Sequence, residues 1–275
     1  MIRRRIRTEH LFFEAPTLLL LLLFAWFVGS VVAKGASSLD LAVLTSSVKA
    51  GGLLEPLIGT VLLLCGAVVI ATPIGVATAV YLEEYASNSR VSRLVTQAVS
   101  SLAGVPSIVL GLFGYAFFCR FLGLGVSLAS GWLTLACMIL PIVVRGSQEA
   151  IRMVPKSFRA AARALGASKW RTVVDVVLPT AAPGIATSVV LGLARVAGET
   201  AAILFTCSAL TGRVPITPLE PVVTLTYYIF ASIVAVPGGS LERAFSATLI
   251  LLLAVLALNS MAYAARIYYR RKWGW

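Results

Sequence analysis

Leu57–Tyr81 reads LIGTVLLLCGAVVIATPIGVATAVY, an apolar run without a single charged residue. A bilayer core about 30 Å thick is crossed by about 20 residues of helix, and this run is long enough. In hydrocarbon the backbone must satisfy its own hydrogen bonds, which only a helix or a closed barrel can do. The run shows no apolar–polar alternation, so it reads as a helix rather than a barrel strand.

Similar runs lie on both sides of it. They fall at about Pro16–Ala33, Ala98–Phe121, Val126–Val144, Ile185–Ser208 and Ala244–Ile267. With Leu57–Tyr81 they make an all-α integral membrane protein of six transmembrane helices. Composition agrees: 59% of the 275 residues are hydrophobic and 12% are charged. A water-soluble domain of this size could not hide so much apolar surface. Met1–Arg7 is basic and precedes an apolar block, as in a signal peptide. No small-residue cleavage site follows before Lys34, so the block reads as a retained first span.

The net charge of +12 invites a nucleic-acid reading. The basic residues instead gather between spans, and no basic stripe is interleaved with aromatics. Arg3, Arg4, Arg5 and Arg7, then Arg90 and Arg93, the group from Arg145 to Arg171, and Arg266, Arg270, Arg271 and Lys272 all fall on one side of a six-span layout. The other side holds few. The basic side is cytoplasmic, with both termini on it. The expected organisation is 1–56 for the N-terminal segment, first span and external loop, 57–267 for the core, and 268–275 for a basic tail.

Two connections are long. The external one, about Ala209–Arg243, carries Tyr227, Tyr228, Pro215, Pro218, Pro221 and Pro237. Loops of that length are usually functional. The cytoplasmic one spans 145–184. Pro155 suits the first turn of a helix, and Phe158, Ala161, Ala162 and Leu165 then recur at helical spacing on one face. Arg159 and Arg163 share another face. Gly166 permits a sharp turn. Trp170, Val173, Val174 and Val177 follow with the same spacing, and Pro179 is expected to end this second helix. Two short amphipathic helices of this kind fit a membrane surface or a groove on a partner.

The fifth span contains Ala194-Arg-Val-Ala-Gly-Glu-Thr-Ala201. A charge in mid-membrane costs about 2.5–3.5 kcal/mol or more and must face protein or water. Arg195 and Glu199 are four residues apart and can pair on one helix face. Ser188, Gly192, Ala202 and Thr206 extend the same stripe. The pair either fixes helix packing or lines an ion path, in which the planar guanidinium suits an oxyanion and Glu199 tempers its hold. Pro106 and Ser107 in the third span mark either a break near that path or an ordinary membrane-helix proline.

The cytoplasmic loop resembles the EAA motif of ABC importer permeases, with Ala160-Ala161-Ala162, Gly166, Val176, Leu178 and Pro179 in register. Ala160 stands where the family favours Glu. Arg195-x-x-Gly-Glu-Thr-Ala201 resembles the fifth-span signature of the phosphate permeases, the PstA/PstC family. Thr72–Gly75, Tyr81–Tyr85, Leu102–Phe113, Leu140–Arg145, Glu149-Ala150, Val154-Pro155 and Asn259 agree with it. The form of the signature and the short N-terminus lean to the PstA-type subunit.

The resemblance implies a type I permease fold whose loop, through Phe158, Ala161, Ala162, Leu165, Gly166, Trp170, Leu178 and Pro179, seats a coupling helix on an ATPase. It implies a substrate path through Arg195, Glu199, Ser188 and Thr206. It further implies a PstC-like second permease, a PstB-like ATPase dimer that binds ATP and Mg, and a PstS-like periplasmic phosphate-binding protein. The chain itself would carry no cofactor and no metal. Its lone His10 and the scattered Cys65, Cys119, Cys137 and Cys207 offer no ligand set. It has no Gly-x-x-x-x-Gly-Lys-Ser/Thr loop and no Ser/His/Asp arrangement, so no enzymatic activity of its own is expected. Transport of another oxyanion, such as sulfate or molybdate, or an ATPase-independent channel or secondary transporter are the alternatives. The span-five signature argues against the former, and the missing inverted repeat against the latter.

Overall fold

The computed structural model describes residues 2–86, 89–235 and 241–273, without the side chains of 2–13 and of most positions from 265 onward. The basic clusters at the two termini, His10 and Pro237 therefore lie outside the described side chains. Five helices are long and apolar enough to cross a membrane, and a bent pair brings the number to six.

The first span lies within α1 (Ile2–Ser37) and the second is α2 (Leu54–Tyr85), whose last turn, Tyr81–Tyr85, widens into a π turn. The expected third span, Ala98–Phe121, is not one helix. α3 (Arg90–Ala103) and α4 (Ser107–Phe121) meet at 104°. Pro106 has no N–H to offer, and it forces Val105 out of helical geometry. The last turn of α3 tightens instead, with the amides of Gly104 and Val105 donating to the carbonyls of Ser101 and Leu102. α3 is capped by Ser89, which accepts from the Ser92 amide at 3.0 Å. It turns Val99 inward with Leu82 and Val144 and leaves Arg93 and Gln97 outside. α3 is thus amphipathic, with one face packed on the core. α4 alone rises roughly 22 Å at 1.5 Å per residue, short of the hydrocarbon thickness.

α5 (Leu128–Met153) starts at a Ser127 cap and is followed by α6 (Lys156–Ala164) after Pro155. The second helix of the 145–184 loop does not stop at Pro179. α7 runs from Lys169 to Ala197 as one piece. A π turn over Thr172–Val177 absorbs the proline, with the Leu178 amide reaching back to the Val173 carbonyl. The wider step moves the ring away from the carbonyl it would strike in an α-helix. The fifth span also departs from the expected Ile185–Ser208. α7 ends at Gly198, and a separate α8 (Ala201–Thr206) follows. The segment after α8 contains a short helix α9 (Leu225–Phe230) and another π turn, before α10 (Leu241–Trp273) completes the bundle.

The core lies among α2, α5 and α7. α2 presents Gly59, Leu63, Ala67, Ala71, Gly75 and Ala79, one every fourth residue, all buried. It packs along α5 more extensively than any other helix pair does. Without water to drive helices together in lipid, close backbone approach through small residues supplies the attraction. A Cβ on Gly59 would strike the Val223 backbone, and one on Gly66 the Trp132 ring. Trp132 is held there by its indole N–H, which donates to the Leu62 carbonyl at 2.9 Å. α1 joins this body chiefly along α10, where Ser246 donates to the Gly35 carbonyl at 3.2 Å and Lys34 sits over the Phe245 ring.

Gly75→Leu should lower the melting temperature of the detergent-solubilised protein, because a Cβ there already lies 2.7 Å from Val143. The overpacking cost is about 1–3 kcal/mol. Gly29→Ala, inside α1 with nothing within 4 Å of the new Cβ, should not lower the melting temperature, since alanine is favoured over a helix-interior glycine by up to about 1 kcal/mol.

Candidate transport site and docking loop

The two interruptions in the membrane helices face each other. The Gly198–Thr200 break separates α7 from α8, and the Gly104–Pro106 break precedes α4. α4 and α8 pack closely, with Gly111 against Ala202: a Cβ at Gly111 would lie 2.7 Å from the Ala202 Cα. Arg195, in the last turn of α7, spans both breaks. One guanidinium nitrogen pairs with Glu199 Oε2 at 3.1 Å, and the other donates to Ser107 Oγ at 3.4 Å.

Glu199 is buried, its side chain 6% exposed, while that of Arg195 is 52% exposed. The acid is the fixed member. Its Oε1 accepts from the Ala202 amide at 3.4 Å, so it also satisfies a first-turn donor of α8. The base keeps part of its five-donor fork turned to open space. The amides of Ser107 and Ile108 precede the first helical bond of α4, which Val109 makes to the Pro106 carbonyl. The positive end of that helix therefore lies beside the guanidinium. A buried carboxylate, a half-exposed guanidinium and a helix N-terminus make a place where an oxyanion can be held without its charge being fully neutralised in advance.

The stripe read from the sequence is not one helix face, because the helix stops before Glu199. Arg195 and Glu199 come together all the same, through the turn. Ser188 and Thr206 do not join them. Ser188 donates to the Ile185 carbonyl at 2.8 Å and packs on Gly146 of α5. Thr206 donates to the Ala202 carbonyl at 3.0 Å and is fully buried beside Gly114. Ser107, noted in the sequence only as part of a break, is the residue that reaches Arg195.

In the loop between α5 and α7, none of the residues of α6 is fully buried. Its chain stops through Gly166 at φ +83°, where a side chain would be strained, and Ser168 then caps α7 by accepting from the Arg171 amide at 3.3 Å. Phe158, Ala161 and Leu165 are exposed and Ala162 is half-buried; Leu165 is 90% exposed, and Trp170 lies open just beyond the turn. Apolar side chains standing out among Lys156, Arg163, Lys169 and Arg171 have the character of a contact surface. Leu178 and Pro179 lie farther along, inside α7 rather than at the end of a loop helix. Arg159 points the other way, to Glu84 at the end of α2, with N–O 2.8 Å and both side chains largely buried. That pairing was not legible from the spacing of the loop.

The family described as binding-protein-dependent transport system inner membrane component matches residues 71–273. The phosphate transport system permease protein PstA of Mycobacterium leprae is 36% identical over 280 residues, 95% of this chain and 90% of that one. The PstA protein of Yersinia pestis is 34% identical over 256 residues, 90% and 84% of the two chains. A probable ABC transporter permease of Bacillus subtilis, YqgI, is 36% identical over 195 residues, 70% of this chain and 66% of that one. Among solved structures, a bacterial ABC transporter involved in the import of alginate superposes with TM-score 0.68 at 16% identity over 98% of each chain. The methionine ABC transporter MetNI, inward facing, superposes with TM-score 0.62 at 18% identity, over 80% of this chain and 95% of that one. At such identities the structural likeness is one of fold alone. With the family match covering most of its length and PstA relatives aligned nearly end to end, the chain belongs to the binding-protein-dependent transport system inner membrane components, the permeases of ABC importers.

Proposed function

We propose that this chain is the PstA-type permease subunit of an ATP-driven importer of inorganic phosphate. The observation that carries the reading is Arg195, half exposed where two broken helices meet and held there by Glu199 and Ser107. A planar fork of N–H donors matches the oxygens of phosphate. The relatives named PstA support that substrate. Glu199 keeps the site close to neutral before the anion arrives, so that binding is transient. Ser188 and Thr206 back the site through helix packing.

The chain works with a PstC-like permease, which encloses the path with it. A PstS-like periplasmic protein delivers phosphate from outside. A PstB-like ATPase dimer binds ATP and Mg and grips α6 and the exposed Phe158, Leu165 and Trp170. Both termini face the cytoplasm, with the ATPase. In this scheme ATP binding and hydrolysis alternate the side on which Arg195 is open.

Arg195→Ala should lower binding-protein-dependent uptake of labelled phosphate by about a hundredfold, the loss of roughly 3 kcal/mol of charge-assisted bonding. Excess sulfate should leave wild-type uptake unaffected, and the ATPase should still copurify with the variant. Wild-type uptake by Arg195→Ala would remove Arg195 from the path. Gly166→Val should cost about 1–2 kcal/mol at its left-handed position and reduce transport per ATP hydrolysed; an unchanged ratio would count against docking by this loop. A protease-sensitive tag on the C-terminus should be cleaved in inverted vesicles and protected in intact spheroplasts, and the reverse pattern would invert the topology.

A further inference from the structure

The cytoplasmic end of α2 collects basic side chains from each helix of the docking region. Glu83 and Glu84 are neighbours on the π turn Tyr81–Tyr85. Glu83 takes Arg152 of α5, with Nη2–Oε1 2.7 Å and Nε donating to Oε2 at 2.9 Å, and accepts from Gln148 at 2.9 Å. Glu84 takes Arg159 of α6, with Nη2–Oε1 2.8 Å and Nε donating to the same oxygen at 2.9 Å. The Lys169 ammonium, at the start of α7, lies 4.7 Å from the centre of the Tyr85 ring. Arg152, Arg159 and Lys169 come from three successive helices, and one turn of α2 meets them all.

The Arg159 contact differs from the other two. The Arg152 side chain is 56% exposed and Lys169 is exposed, so water and salt screen both. The Glu84 and Arg159 side chains are 8% and 16% exposed. Arg159 also donates to the Val154 carbonyl at 2.5 Å and the Ile151 carbonyl at 2.8 Å, the last turn of α5. One guanidinium thus ties α6 to α2 and to the end of α5 across Pro155. The remaining links of α6 are softer. Its covalent ends are the turns at Pro155 and Gly166, and its face toward Thr172–Val177 is only partly buried.

We propose that the π turn Tyr81–Tyr85 is the socket that passes movement of α6 to the core helix α2, with Glu84 and Arg159 as its positioning residues. The proposal rests on the reading of α6 as the coupling helix. A push on α6 would be absorbed by rotation at the flanking turns if nothing crossed them. The buried pair crosses them, and it ends on the helix whose small-residue seam packs along α5. π turns inside helices are frequent where a helix must do more than pack.

The test uses the transporter purified through a tag on this chain and reconstituted in lipid vesicles, with labelled inorganic phosphate taken up per ATP hydrolysed as the readout. Arg159→Gln and Glu84→Gln should each lower that ratio about tenfold in complexes that still contain the ATPase. Arg159→Lys, which keeps the ion pair, should recover at least part of it. Arg152→Gln, at the screened pair, should change it by less than about twofold. Ratios in both Gln variants equal to wild type would overturn the proposal. So would a fall in the amount of complex with the ratio unchanged, since that is the signature of a structural tie alone. Leu165→Asp, at the exposed tip of α6, tests the underlying reading separately. Normal ATPase assembly and a normal ratio in that variant would remove the coupling role itself, whatever Glu84 and Arg159 do.

Discussion

Inside a bilayer a helix cannot leave backbone groups unpaired except where protein or water takes their place. Among the described residues this chain interrupts its membrane helices at Pro106 and at Gly198–Thr200, where tightened turns and the Glu199 carboxylate take up the local amides, and it places the two breaks against each other. The two helix ends, the start of α4 and the charged pair Arg195–Glu199 are thereby concentrated in one spot. Continuous α2, α5 and α7 form the dry backing that makes such a spot tolerable.

The division of labour between the two charges follows from burial. Glu199 is enclosed and occupied, and Arg195 is partly open. An arginine alone at that depth would be costly, and a fully buried ion pair would have nothing left to offer an anion. A half-exposed base beside an enclosed acid lies between those limits.

The end of the bundle around α6 pairs charges in a different arrangement. There the acids sit on α2, and the bases come from α5 and α6. The wide turns occur at the junctions: Tyr81–Tyr85 ends α2, and Thr172–Val177 carries α7 past Pro179. In the second case the π turn explains why a proline that ought to stop a helix does not. Its Leu178 amide reaches one residue farther back, and the helix continues into the membrane.

Much of this was legible in the residues themselves. Uncharged runs such as Leu57–Tyr81 determine that the chain is helical and lives in a membrane, because hydrocarbon admits no other backbone for them. The spacing from Phe158 to Val177 marks two short amphipathic helices, and Arg195 with Glu199 four residues on marks the charged pair. All of these signals are local. Tertiary structure alone decided that Ser107 meets Arg195 from 88 residues away, and Glu84 meets Arg159 from 75. It alone decided that Ser188 and Thr206 turn into helix contacts, and that the third and fifth spans are broken. The reason is physical. Nearly every face of an apolar span is equally comfortable in lipid, so its pattern does not say which face meets which neighbour. That choice is made by close approach at small residues such as Gly59, Gly75 and Gly111, whose fit depends on the backbone opposite them.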